Sequence, residues 1–183
     1  EGYGNFLFNS FDNFDYIGNP NLKNEKSLEF NSKITYKNKR LSLSFENSFF
    51  YISDYIIGQI NTNYNPMVIG ATGVKVYGSL DKVLQFNSSI NTSYKINKNI
   101  TTNVMIGYNY GKEINGNHLP LIAPFSYRAD ITYNKGLFSS KLEMIGAGTQ
   151  VNYSKLYGED QTKKYTIGRS RNKIRTRKIT DKL

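Results

Sequence analysis

The sequence predicts an all-β chain, an antiparallel transmembrane β-barrel segment, and three observations lead to that expectation. Apolar and polar residues alternate over long stretches, the period of a strand with one face toward an apolar medium. Connections between these stretches alternate between short and long. The apolar surface comes largely from aromatics, 15 Tyr and 11 Phe in a 183-residue chain that is only 38% hydrophobic, which suits strands with one polar face.

Leu28, Phe30, Ser32, Ile34 and Tyr36 alternate with Glu29, Asn31, Lys33, Thr35 and Lys37, and Asn38-Lys39 turns the chain. Arg40 to Ile52 returns it, with Leu41, Leu43, Phe45, Phe49 and Tyr51 on one face and Ser42, Ser44, Glu46 and Ser48 on the other. From 53 to 73 the pattern breaks at Gly58, Asn61, Asn63, Asn65-Pro66 and Gly70, which reads as a long connection. The next strand is rough from Val74 to Gln85, then regular through Phe86, Ser88, Ile90, Thr92, Tyr94 and Ile96. Asn97-Lys98-Asn99 turns it into Ile100, Thr102, Val104, Ile106, Tyr108 and Tyr110. Residues 112–124 form a second long connection, Phe125 to Tyr133 a strand, Asn134-Lys135-Gly136 a tight turn, and Phe138, Ser140, Leu142 and Met144 the strand after it. A third long polar connection runs over 149–164.

Short turns at 38–39, 97–99 and 134–136 against long loops at 53–73, 112–124 and 149–164 are the asymmetry of an outer-membrane barrel, with periplasmic turns and extracellular loops. Strands of roughly 10 to 14 residues match a tilted bilayer span better than the shorter strands of soluble sheets. Tyr36, Tyr94 and Tyr133 fall beside short turns, while Phe49, Tyr51, Tyr108, Tyr110, Phe125 and Tyr127 fall beside long loops, as interfacial girdles require. No apolar run is long enough for a transmembrane helix, and the mean hydropathy of −0.53 fits a wall in which only alternate side chains meet lipid. It also fits a soluble all-β protein.

With no cysteine, disulfides, zinc-thiolate sites and thiol nucleophiles are excluded. The opening Glu1-Gly2-Tyr3 has no signal-peptide pattern, so an exported chain is expected to be an internal or processed piece. Net charge is +10, but Arg169, Arg171, Lys173, Arg175, Arg177, Lys178 and Lys182 against Asp181 concentrate most of it in one stretch. No aromatic interleaves these charges, so a base-stacking platform is absent and no nucleic-acid partner is expected. Residues 168–183 read as a disordered basic tail.

Gly18-Asn19-Pro20-Asn21-Leu22-Lys23-Asn24-Glu25-Lys26-Ser27 runs straight into the strand at Leu28. It resembles the N-P-x-L-K-x-E-x-S segment of TonB-dependent outer-membrane receptors. Tyr3 to Asn9 with Phe14 to Pro20 is similar to the preceding loop in receptors of Bacteroidetes type. Leu119-Pro120-Leu121-Ile122-Ala123-Pro124 is similar to L-P-x-I-P-P, and Tyr157-Gly158-Glu159-Asp160-Gln161-Thr162 with Tyr165-Thr166-Ile167 is similar to F-G-E-D-E-T-P-G-Y-T-I. Val76-Tyr77 and Leu80-Asp81 sit where the family has a strand before a G-x-E motif, which Asn87-Ser88-Ser89 replaces. Beyond Ile167 the family pattern stops, as an interrupted reading frame would make it.

The resemblance implies a 22-stranded barrel with an N-terminal plug, of which this chain supplies about six or seven strands. Residues 1–27 are then an extracellular loop and strand lead-in, 28–149 antiparallel barrel strands, and 150–167 a loop and the start of the next strand. The implied function is energy-coupled uptake of a scarce ligand such as an iron-siderophore complex. The implied partners are outer-membrane lipid, that small ligand, and the TonB complex, met through the plug of the full-length receptor. Two alternatives stay open: a small self-contained outer-membrane barrel with a structural or adhesive role, and a soluble secreted β-sandwich binding carbohydrate.

The residues offer no enzyme and no cofactor site. His118 is the only histidine, so a catalytic triad or a multi-histidine metal site lacks its parts, and a solvated loop histidine is expected. Met67, Met105 and Met144 are scattered and read as packing or lipid contacts. Asp12, Asp15, Glu159 and Asp160 read as solvated loop carboxylates rather than cation ligands. Glu29, Lys33, Glu46 and Lys141 fall on the polar face, toward a lumen. Glycines 107, 111, 146 and 148 suit strand bends or close packing.

Overall fold

The computed structural model describes residues 6–114 and 116–174. Nine strands form one sheet: β1 (Leu7–Asn9), β2 (Phe14–Ile17), β3 (Lys26–Lys37), β4 (Leu41–Ile60), β5 (Gly73–Lys95), β6 (Ile100–Glu113), β7 (Ser126–Lys135), β8 (Phe138–Ala147) and β9 (Tyr165–Ile174). From β3 to β9 each strand pairs antiparallel with the next. The expected all-β antiparallel wall is therefore present, with seven long strands.

The short turns are made by local chemistry. The Asn38 side-chain oxygen accepts the N–H groups of Arg40 and Leu41 at 2.9 and 2.8 Å. Asn97 does the same for Asn99 and Ile100 at 2.8 and 2.9 Å. Such side-chain closure substitutes for a backbone turn bond and fixes the register of the hairpin that follows.

That register sorts the side chains into two faces. On one, Ile34, Phe45, Ile90, Ile106 and Tyr127 stand in a single cross-strand rank, and Phe30, Phe49, Phe86 and Tyr110 in another. The Phe49 and Phe86 rings lie 4.6 Å apart. The ranks are separated by a polar row in which Asn47 donates to Ser32 and accepts from Ser88 at 2.9 Å. The opposite face holds ion pairs, Lys33 to Glu46 at 2.8 Å and Lys141 to Asp130 at 3.2 Å across strands and Lys141 to Glu143 at 3.1 Å along β8. The apolar face is uncovered: Leu28, Phe30 and Ile34 are 73%, 64% and 68% exposed. A water-soluble sheet would bury such a face against a second layer.

The buried core lies at one end of the sheet instead, where Leu80, Val83, Leu119 and Tyr157 cluster with Ile52, Tyr55, Ile57 and Ile122. The long connections 61–72, 114–125 and 148–164 gather at that end.

Several boundaries differ from the sequence reading. The connection expected at 53–73 is only 61–72, because β4 and β5 continue as a hairpin beyond β3 and β6, in register from Tyr55↔Leu80 to Ile60↔Lys75. Asp54, at φ 55°, and Asp81 fall at the one rank missing from the β4–β5 pairing, and the register is the same on both sides of it. The loop expected at 112–124 begins after Glu113, and the one at 149–164 begins at Gly148. Residues 1–27 are not simply loop, since β1 and β2 form a hairpin whose second strand pairs parallel with Gly73–Val76 of β5. The tail expected to be disordered from 168 is strand as far as Ile174, paired with Met144 to Phe138. Its alternation was hidden because Gly168, Ser170 and Asn172 carry no apolar signal; the rest of that tail, 175–183, lies outside the described residues, as do 1–5 of the expected N-terminal loop.

Candidate ligand site at the loop end

Val74, Lys75 and Val76 open β5 as a β-branched run interrupted by one charge. The parallel pairing of β2 sets Tyr16 opposite Lys75 and Asp15 opposite Val74. Asp12, in the turn between β1 and β2, accepts from the Lys75 ammonium and the Tyr16 hydroxyl, both at 2.7 Å and both at the same Oδ2. The Lys75 side chain is only 6% exposed and its ammonium lies 4.4 Å from the Phe14 ring centroid, so this charge is internal and paired.

Burial works to raise the Asp12 carboxyl, but the bonds from Lys75 and Tyr16 outweigh it and hold the group below its ordinary value. Burial, reinforced by Asp12, pushes the Tyr16 hydroxyl up, so it stays a donor. The Tyr16 ring crosses β4 at Gly58, where an added Cβ would stand 2.5 Å from Cε1. Gly58, read from sequence as turn chemistry, is thus a strand residue that admits a ring.

Asp15 is fully buried and receives the N–H groups of Met67 and Val68 at 2.6 and 3.1 Å, which ties the 61–72 loop to β2. Glu159 receives Leu121 N–H and the Gln150 side chain at Oε1, at 2.9 and 2.8 Å, and Ser154 N–H at Oε2, at 3.0 Å. Gln150 also donates to the Ile122 carbonyl. One carboxylate therefore fastens the loop 114–125 to the loop 148–164. Tyr157 donates to Glu113, and burial followed by that carboxylate pushes its hydroxyl up.

Between these pieces is a cavity of about 480 Å³, lined by the β1–β2 hairpin, the far part of β4 and β5, and both fastened loops. Phe11, Tyr16, Tyr77 and Leu121 supply apolar surface; Asp12, Lys75, Glu159 and Asp160 supply charge. Its volume suits a small molecule.

Of the four loop carboxylates expected to be solvated, Asp12, Asp15 and Glu159 have structural partners and Asp160 is exposed. The cavity brings Asp12, Glu159 and Asp160 together and leaves Asp15 out. His118 is half-buried rather than solvated, edge-on to Tyr110 at 5.6 Å with Nδ1 enclosed and unpartnered. Met67, Met105 and Met144 lie on a loop, β6 and β8. Among the described residues no group of three or more His, Cys, Asp or Glu is placed to hold a metal ion. Lys75, Tyr16 and Gln150 were not singled out by sequence; a lone lysine inside Val74-Lys75-Val76 was the one available signal.

No family model and no curated protein matches the chain. Solved structures do. Copper transporter OprC superposes with a TM-score of 0.77 at 17% identity over 87% of this chain. The siderophore receptor PirA from Acinetobacter baumannii gives 0.59 at 13% identity over 85%. A mutant of the ferric enterobactin receptor PfeA from Pseudomonas aeruginosa gives 0.59 at 12% identity over 84%. The chain spans about a quarter of each, 24%, 26% and 24% of their lengths. At these identities the likeness carries the fold alone: the sheet matches a stretch of the β-barrel wall of these larger structures, with its loops gathered at one end.

Proposed function

We propose that this chain is part of the wall and loop cap of a TonB-dependent outer-membrane receptor that takes up a scarce small ligand. The observation that carries this is the uncovered apolar face, continuous in register across β3 to β8 and backed by a face of paired charges. In a bilayer that face meets lipid and the charged face meets a lumen. The short turns then lie on the periplasmic side, and the loops and their cavity on the extracellular side. Likeness to a copper transporter and two siderophore receptors supports the same reading, with a metal chelate as the kind of ligand it suggests.

Among the described residues β3 and β9 each pair on one side only. Unpaired backbone groups are not tolerated in hydrocarbon, so the wall works only with further strands beside both. The TonB complex acts through the plug of the full-length receptor, and the chain's role is wall and binding, not catalysis. The test is to follow the full-length protein in cells: it should fractionate with the outer membrane, and uptake should stop when TonB is deleted. Recovery in the soluble periplasmic fraction would end this reading.

A further inference from the structure

The cavity between the loops has a sign. Lys75 is consumed by Asp12, a pair held at 2.7 Å with the ammonium almost fully enclosed. Among the described lining residues that leaves Glu159 and Asp160. The three groups that bond Glu159 are uncharged amides, so they orient its charge without cancelling it. Asp160 is exposed at the rim. A further carboxylate, Glu25, accepts the N–H of Ile56, itself a lining residue, at 2.5 Å. The wall of a concave site focuses such a field into its opening. The protein as a whole carries +10, so the negative field here is a local arrangement rather than a reflection of composition.

Aromatic faces share the cavity. Phe11 is 81% exposed, and the Tyr16 and Tyr77 rings lie 5.2 Å apart. Ring faces attract cations and pack apolar bodies, while carboxylates repel anions. We propose that this cavity binds an organic cation, an ammonium group carried on an aromatic or aliphatic body, with the body against Phe11 and the charge toward Asp160 and Glu159. An anionic chelate would meet like charge. The inference deepens the receptor reading and rests on it only for placing the cavity on the outer side.

The probes are phenethylammonium, phenylacetate and 2-phenylethanol, titrated calorimetrically into the full-length protein in detergent at low salt. Phenethylammonium should bind at least about ten-fold more tightly than phenylacetate, with the alcohol between them. Asp160→Asn should weaken phenethylammonium about five-fold, and Phe11→Ala by about the same factor. Both positions are exposed, and an unchanged circular dichroism spectrum verifies folding. Equal or tighter binding of phenylacetate overturns the inference, as does no binding of any probe or an unaltered affinity in Asp160→Asn. If the protein fractionates with the outer membrane yet fails these titrations, the cation site falls and the receptor reading stands. If it binds the amine but is recovered soluble, the reverse holds.

Discussion

Asp12 is the residue on which the β1–β2 hairpin depends, because its Oδ2 is the shared acceptor of a buried ammonium and a buried hydroxyl. Asp12→Asn keeps the shape and leaves Lys75 charged without a partner, so it should destabilise the loop end by about 3 kcal/mol, read as faster amide exchange in residues 7–17. The same group sets a pH dependence. Its folded-state value lies below the ordinary one, so its contribution is complete above about pH 4 and fades as pH falls further, through the lowered value. Acid should therefore loosen the hairpin first, visible as proteolysis within residues 7–17. Gly58 is the second such position. Gly58→Ala would put a methyl into the Tyr16 ring and should cost about 1 to 3 kcal/mol, measured by the same exchange. Neither role is visible in one dimension, since Asp12 meets Lys75 from 63 positions away and Gly58 meets the ring of Tyr16 from a different strand.

At the scale of elements, Glu159 joins two long loops that have few other bonds between them. Glu159→Ala removes the acceptor for Leu121, Gln150 and Ser154 together, and exchange should rise in 119–123 and 150–158 while β6 to β8 stay protected. The strands themselves were legible wherever one face is apolar and the other polar, as in β3, β4, β6, β7 and β8. Three stretches were not: the β1–β2 hairpin, whose strands are too short to show a period, the far part of β4, and β9. The far part of β4 reads as loop because Gly58 breaks the alternation, while the pairing with β5 and the Tyr16 ring on Gly58 sustain the strand. In β9 the large apolar residues, Tyr165, Ile167 and Ile174, stand only toward the ends, so the pairing with β8 is what reveals the period. Asn38 and Asn97, by contrast, sit where the sequence puts them, because a side-chain-closed turn is a local event.

The whole molecule is a sheet whose core is displaced to one end and whose large apolar face is left open. Placing a charge in that face tests what covers it: Ile90→Arg, within the rank running from Ile34 to Tyr127, should cost about 2 to 4 kcal/mol of folding stability in a bilayer. Folding into lipid vesicles followed against urea gives that number. The cavity was beyond reach of the sequence at this scale, since it is assembled from five segments spread over most of the chain.

The most direct test of the wall assignment places single spin labels in this chain, which has no cysteine of its own. Labels at Leu43, Phe45 and Phe49 should be relaxed by oxygen dissolved in the bilayer, and labels at Ser42, Ser44 and Ser48 by a water-soluble nickel chelate, when the full-length protein is reconstituted in vesicles. A two-residue alternation between the reagents is the predicted result; accessibility of both sets to the nickel chelate alone would contradict it.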